Sequence, residues 1–100
     1  MYSYRIVMTP ERERLKVTIQ PKKLRIESEP YPVFVNKKYC VGIDVLDIKS
    51  SREYYLIIDP QSLSGPLHEL KVREGTLTEL VIWVNKQSEE KYSKYEVQLA

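Results

Sequence analysis

The sequence predicts one small all-β domain spanning residues 1–100. Three observations carry that expectation. Apolar residues recur with a period of two at Leu15, Val17 and Ile19, at Val41, Ile43 and Val45, at Leu80, Ile82 and Val84, and at Tyr95, Val97 and Leu99. Successive side chains on a strand point to opposite faces, so this rhythm describes half-buried strands. No stretch shows a sustained helical period. Turn-forming residues interrupt the apolar runs about every ten residues, the spacing of sandwiches and barrels.

Taken in order, residues 4–8 read as the first strand. Thr9, Pro10, Glu11 and Arg12 follow as a turn with Pro pre-set for its second position, or as one helical turn capped by Thr9. Residues 14–20 read as the second strand. Pro21, Lys22 and Lys23 break it, and residues 24–28 resume an extended run. Pro30 and Pro32 bias Glu29 and Tyr31 towards extended geometry and exclude a helix there. Val33, Phe34 and Val35 form a short apolar run before a turn at Asn36, Lys37 and Lys38. Residues 39–48 make the longest strand, in which Gly42 marks a bend, a bulge or a close approach. A hairpin turn at 49–52 leads into residues 53–59, whose core from Tyr54 to Ile58 is apolar on both faces. Residues 60–66 read as the longest loop, 67–73 as a strand, and Glu74-Gly75-Thr76 as a tight turn in which Gly supplies positive φ. Residues 77–85 and 92–99 are the last strands, joined by a charged connection.

Two architectures accommodate such a chain. An immunoglobulin-like β-sandwich needs about seven to nine short strands and no helix. The oligonucleotide-binding (OB-like) barrel, or another small β-barrel, is the alternative. The OB barrel places a helix between its third and fourth strands, and the only room for one is around residues 60–70. Pro60, Gly65 and Pro66 make poor helical sequence there, which favours the sandwich. The strand-and-turn pattern from Tyr39 through Leu99 loosely resembles modules of the immunoglobulin-like class, without the paired cysteines of antibody domains.

Composition bounds the function. The chain is 42% hydrophobic and 30% charged, as expected of a globular domain. No apolar run approaches the roughly 18 residues of a membrane span, and the start shows no secretory pattern. Cys40, the single cysteine, reads as a small buried hydrophobe and fits a reducing cytoplasm. Net charge is +2, divided as +4 over residues 1–50 and −2 over residues 51–100. Lys and Glu are abundant and Asn plus Gln number six, a balance resembling hyperthermophile proteins.

No catalytic constellation emerges, so the chain is expected not to be an enzyme. His68 is the only histidine and reads as a surface residue. Gly42, Gly65 and Gly75 are too scattered to cradle phosphates. His68 and Cys40 cannot close a zinc site, and no cofactor or metal is expected. Eight of the ten aromatics are tyrosines, which suit sheet faces and rims.

The leading expectation is a cytoplasmic interaction or structural module that binds another protein chain, or a second copy of itself, through a sheet face or edge strand. Tyr54, Tyr55, Val81 and Trp83 are its candidate contacts, because Val81 and Trp83 face outward if Leu80, Ile82 and Val84 face the core. The alternative is a nucleic-acid-binding module in which Arg12, Arg14, Lys16, Lys22, Lys23 and Arg25 meet phosphates and nearby tyrosines stack on bases. Leu63, the one large apolar residue of the 60–66 loop, is expected to fold back as a plug.

Overall fold

The computed structural model describes residues 12–90 and 93–100. The expected strand at 4–8, the turn residues up to Glu11, and Tyr92 lie outside the described residues.

The chain is mostly β, as the alternation requires. Its strands are β1 (Glu13–Arg14), β2 (Lys22–Ile26), β3 (Tyr31–Val35), β4 (Lys38–Asp47), β5 (Arg52–Ile57), β6 (Val81–Lys86) and β7 (Tyr95–Leu99). They form one open mixed sheet in the order β1-β5-β4-β2-β6-β7, with β3 paired to β4 outside that path. Among the described residues only the β1–β5 pair is parallel. Among the described residues there is no second sheet, so the immunoglobulin-like sandwich is corrected to a single sheet. A helix, α1 (Gln61–Glu74), buries Leu63, Leu67 and Leu70 in the same core as the apolar face of that sheet.

The helix replaces both the expected loop at 60–66 and the expected strand at 67–73. Leu63, Leu67 and Leu70 recur at helical spacing, and all three are buried. Burying them contributes about 1.5–3 kcal/mol each. An interior Pro costs about 3 kcal/mol and an interior Gly about 1 kcal/mol relative to Ala, so the leucine stripe outweighs Pro66 and Gly65. Pro60 stands at the helix start, and Gly75 ends it at φ 88° with its N–H donating to the Lys71 carbonyl at 2.8 Å. Gly75 therefore has the expected positive φ, but it terminates a helix. Leu63 is buried as expected, on a helix and not on a loop.

Strand register places Leu24 and Ile26 of β2, Ile43 and Val45 of β4, Leu56 of β5, and Ile82 and Val84 of β6 on the face that meets the three helix leucines. This is the inner face. The expected strand at 14–20 pairs only at Glu13 and Arg14. Beyond them the Leu15 N–H donates to the Tyr55 carbonyl (2.9 Å), and the Thr18 carbonyl accepts from the Lys86 N–H (2.8 Å). The segment thus crosses from β5 to β6, with Leu15 and Val17 packed on the core. Lys22 and Lys23 belong to β2, and Pro21 precedes the strand instead of breaking it.

β2 and β3 both run antiparallel to β4, pairing with its second and first halves respectively. They act as one strand bent at residues 27–30. Glu29 fixes the bend: its Oε2 accepts from the Thr76 and Thr78 hydroxyls (2.7 Å each) and the Leu77 and Thr78 N–H groups (3.1 and 2.9 Å). Lys71 Nζ lies 3.3 Å from its Oε1. This clasp ties the bend to the connection between α1 and β6. The Thr78 hydroxyl, then the Thr76 hydroxyl and the Thr78 N–H, hold the Glu29 carboxyl down from its ordinary 4.5 to about 2.

The β3–β4 hairpin turns at Asn36 and Lys37, with φ 52° and 64°, the mirror-image turn whose twist suits a hairpin. A Cβ on Gly42 would lie 2.9 Å from Val33 Cγ2 and 3.3 Å from the Leu56 carbonyl oxygen, so this glycine marks a close approach.

The two glycines give opposite expectations. Gly65 has open space about its Cβ position, so Gly65→Ala should raise stability by about 0.5–1 kcal/mol through helix propensity. Gly42→Ala should lower it by about 1–3 kcal/mol through overpacking. Urea unfolding measures both; equal effects of the two substitutions would contradict the placement of Gly65 in a helix. The clasp gives a pH dependence. A carboxyl depressed by folding stabilises above its unfolded pKa, and that stability is lost as pH falls from 4.5 towards 2. Glu29→Gln should cost about 1 kcal/mol at neutral pH, because the side chain is partly exposed and screened. It should also flatten the acid limb of the stability profile; a wild-type acid limb unchanged by the substitution would rule out the clasp.

Candidate interaction face

The face opposite α1 carries the residues that alternate with the core. Register aligns them in rows across the strands. One row holds Lys23, Trp83 and Gln98, beside Ile48 at the end of β4. The next holds Glu53, Leu46, Arg25 and Val81. A third begins with Tyr55 and Asp44, beside Glu27. Among the described residues no helix or strand lies over this outer face.

Its centre is a cluster of ion pairs. Arg12 reaches Glu27 (3.0 Å), Glu53 (3.1 Å) and Asp44 (3.9 Å), and Arg25 reaches Glu27 (2.9 Å). The Arg25 hydrogen bond, reinforced by Arg12 against burial, lowers the Glu27 pKa. Tyr31 donates its hydroxyl to Asp44, and burial together with that bond raises the phenol pKa. The cluster binds three carboxylates to two guanidinium groups, which offsets most of its negative charge and leaves one in excess.

The Trp83 end differs. Trp83 is 39% exposed although it stands in the middle of a paired strand. Its ring forms one wall of a cavity of about 250 Å³ shared with Gln20, Pro21, Lys22, Lys23, Asp47, Ile48 and Lys49. Lys23 Nζ lies 5.8 Å from the centroid of the indole ring, within cation–π range. Asp47 is the cavity's only carboxylate, and it is buried and accepts the Lys49 N–H (3.1 Å) in the β4–β5 turn. The cavity therefore presents an aromatic wall, an apolar rim at Pro21 and Ile48, and three lysines. None of those lysines is in an ion pair among the described residues.

The four expected protein contacts separate in space. Tyr54 is half-buried on the inner face against the core, and Tyr55 is 7% exposed on the outer face. Val81 and Trp83 share the outer face as expected, Val81 half-buried. The six expected phosphate contacts separate as well. Arg12 and Arg25 are engaged with carboxylates, Arg14 and Lys16 border a different cleft, and Lys22 and Lys23 flank Trp83. Sequence reasoning missed Pro21, Ile48 and Lys49. Extending the alternation Asp44, Leu46, Ile48 would have put Ile48 on the outer face. Pro21 and Lys49 join Trp83 only through the pairing of β2 with β4 and β6, which one sequence does not display.

At the far tip of the sheet Phe34 and Tyr39 stack with ring centroids 4.9 Å apart, and Tyr39 is 57% exposed. Cys40 is buried and His68 exposed. Among the described residues no group of His, Cys, Asp and Glu is placed to hold a metal ion, and no helix is long and apolar enough to cross a membrane. Comparison of the chain with protein-family models, curated proteins and solved structures found no match.

Proposed function

We propose that the chain is a non-enzymatic single-stranded nucleic-acid-binding module, in which Trp83 stacks on a base and Lys22, Lys23 and Lys49 meet the flanking phosphates. The observation that carries this reading is the half-open indole in a cavity rimmed by three lysines with no ion-pair partners among the described residues. Any base has a π-face, so an exposed aromatic in a cationic groove binds single strands with little sequence preference. The guanidinium groups of Arg12 and Arg25 support it by offsetting two of the three outer-face carboxylate charges that would otherwise repel phosphate.

The architecture supports it too. With β2 and β3 taken as one bent strand, β4 and β5 are the second and third, and α1 falls between the third and the fourth, β6. That is the helix position of the oligonucleotide-binding barrel, a five-stranded and partly open fold whose second and third strands carry the binding face; Trp83 stands on the fourth strand, so this likeness bears on the class of module and not on the Trp83 contact. The helix at residues 61–74 removes the reason for preferring a sandwich. The protein-binding reading shares Trp83 and Val81 as contacts, but it does not call on the lysines around them. A single cysteine suits action in the cytoplasm.

Fluorescence anisotropy with labelled single-stranded DNA and RNA at low salt tests the reading. Binding should occur, weaken steeply with added salt, and fall by roughly tenfold or more in Trp83→Ala. Absence of binding at about 50 μM protein at low salt, where non-specific complexes with dissociation constants of about 1–100 μM at physiological salt are tighter still, or an unchanged affinity in Trp83→Ala, would overturn it. Nuclease-resistant capture of a protein from native extract, lost in Trp83→Ala, would establish the protein-binding reading in its place.

A further inference from the structure

We infer a second binding site, independent of Trp83, for a small anion with an apolar body. It is the slot where the sheet fails to close on itself. β1 lies at one end of the strand order and β7 at the other. Yet Arg14 of β1, Leu56 of β5 and Tyr95 of β7 line one cleft of about 370 Å³, together with Lys16, Lys86 and Leu63 of α1. The sheet therefore curls until its two ends face each other across a gap. The backbone bonds Thr18–Lys86 (2.8 Å) and Leu15–Tyr55 (2.9 Å) hold the crossing segment in place beside it.

The chemistry of the lining selects the ligand. Val17, Ile57 and Tyr95 are half-buried and give the cleft its accessible apolar surface, backed by the buried Leu56 and Leu63. Arg14 and Lys16 come from one stretch of chain and Lys86 from β6, and among the described residues the cleft has no acidic lining residue. None of the three is in an ion pair among the described residues. Three like charges around one low-dielectric concavity create a positive potential that an anion relieves. The volume lies within the usual range for small-molecule sites, about 300–1,000 Å³. A neutral apolar molecule would leave the cations unanswered, and a bare inorganic anion would leave the half-buried apolar side chains uncovered. The fit is an aliphatic carboxylate or phosphate monoester, its head at the cations and its tail against Val17, Ile57 and Tyr95.

The test is an amide chemical-shift titration of the intact chain with octanoate and with octyl phosphate, against 1-octanol and inorganic phosphate as controls. Both amphiphilic anions should perturb residues 15–17, 56–57, 63, 86 and 95 and saturate, and the stronger of the two identifies the head group. The controls should bind far more weakly. Lys16→Gln with Lys86→Gln should weaken the anions by roughly fivefold, since both positions are at least partly exposed and screened. Trp83→Ala should leave this binding unchanged, which separates it from the nucleic-acid site. Absence of saturable shifts at the cleft, equal binding of octanol, or indifference to the double substitution in a folded variant would overturn the inference.

Discussion

Burial of Leu63, Leu67 and Leu70 against Ile43, Val45, Leu56 and Ile82 is the contact on which the rest of the structure depends. A single twisted sheet has two faces and must cover at least one. Here a fourteen-residue helix does so, despite an interior proline and glycine. Because α1 takes the inner face, the alternating residues of β2, β4 and β6 are delivered to the outer one. Trp83 is exposed for the same reason that Ile82 and Val84 are buried: strand parity admits no third option.

Charge is arranged on that outer face with equal economy. Carboxylates at Glu27, Asp44 and Glu53 would make it acidic if they stood alone. Arg12 and Arg25 hold them in a compact cluster at its centre. The lysines near Trp83 have no such partners among the described residues, so the net +2 of the whole chain understates the local potential at that end. Glu29 plays a different part, since its four hydrogen bonds on one oxygen fasten the bent β2–β3 strand to the end of the helix.

Much of the sheet was legible from alternation alone. The long strand at 39–48, the turns at 36–38 and 49–52 and the opposite facing of Ile82 and Trp83 all follow from period two and turn chemistry, whereas Gly42 stood open as a bend, a bulge or a close approach until its neighbours were placed. The helix was not legible, because Pro60, Gly65 and Pro66 carry strong local penalties while the compensating leucine burial is tertiary. Reading the apolar residues at 63, 67 and 70 as a helical stripe would have found it. The 14–20 segment alternates like a strand yet crosses the end of the core, since alternation reports which side is buried and not which groups hydrogen-bond. The binding cavity was half visible: Trp83, Lys22 and Lys23 stood out as residue types, but their union with Lys49 and Ile48 depends on strand register.

The central claim is that a helix, and not a further strand, covers the inner face. Leu70 and Val72 discriminate between the two. On a strand they would share a face; on α1 they point apart, and Val72 is 70% exposed while Leu70 is buried. Urea unfolding of Leu70→Ala and Val72→Ala measures this directly. The account predicts a loss of about 2–4 kcal/mol for Leu70→Ala and a change within about 0.5 kcal/mol for Val72→Ala. Comparable losses at the two positions would contradict it.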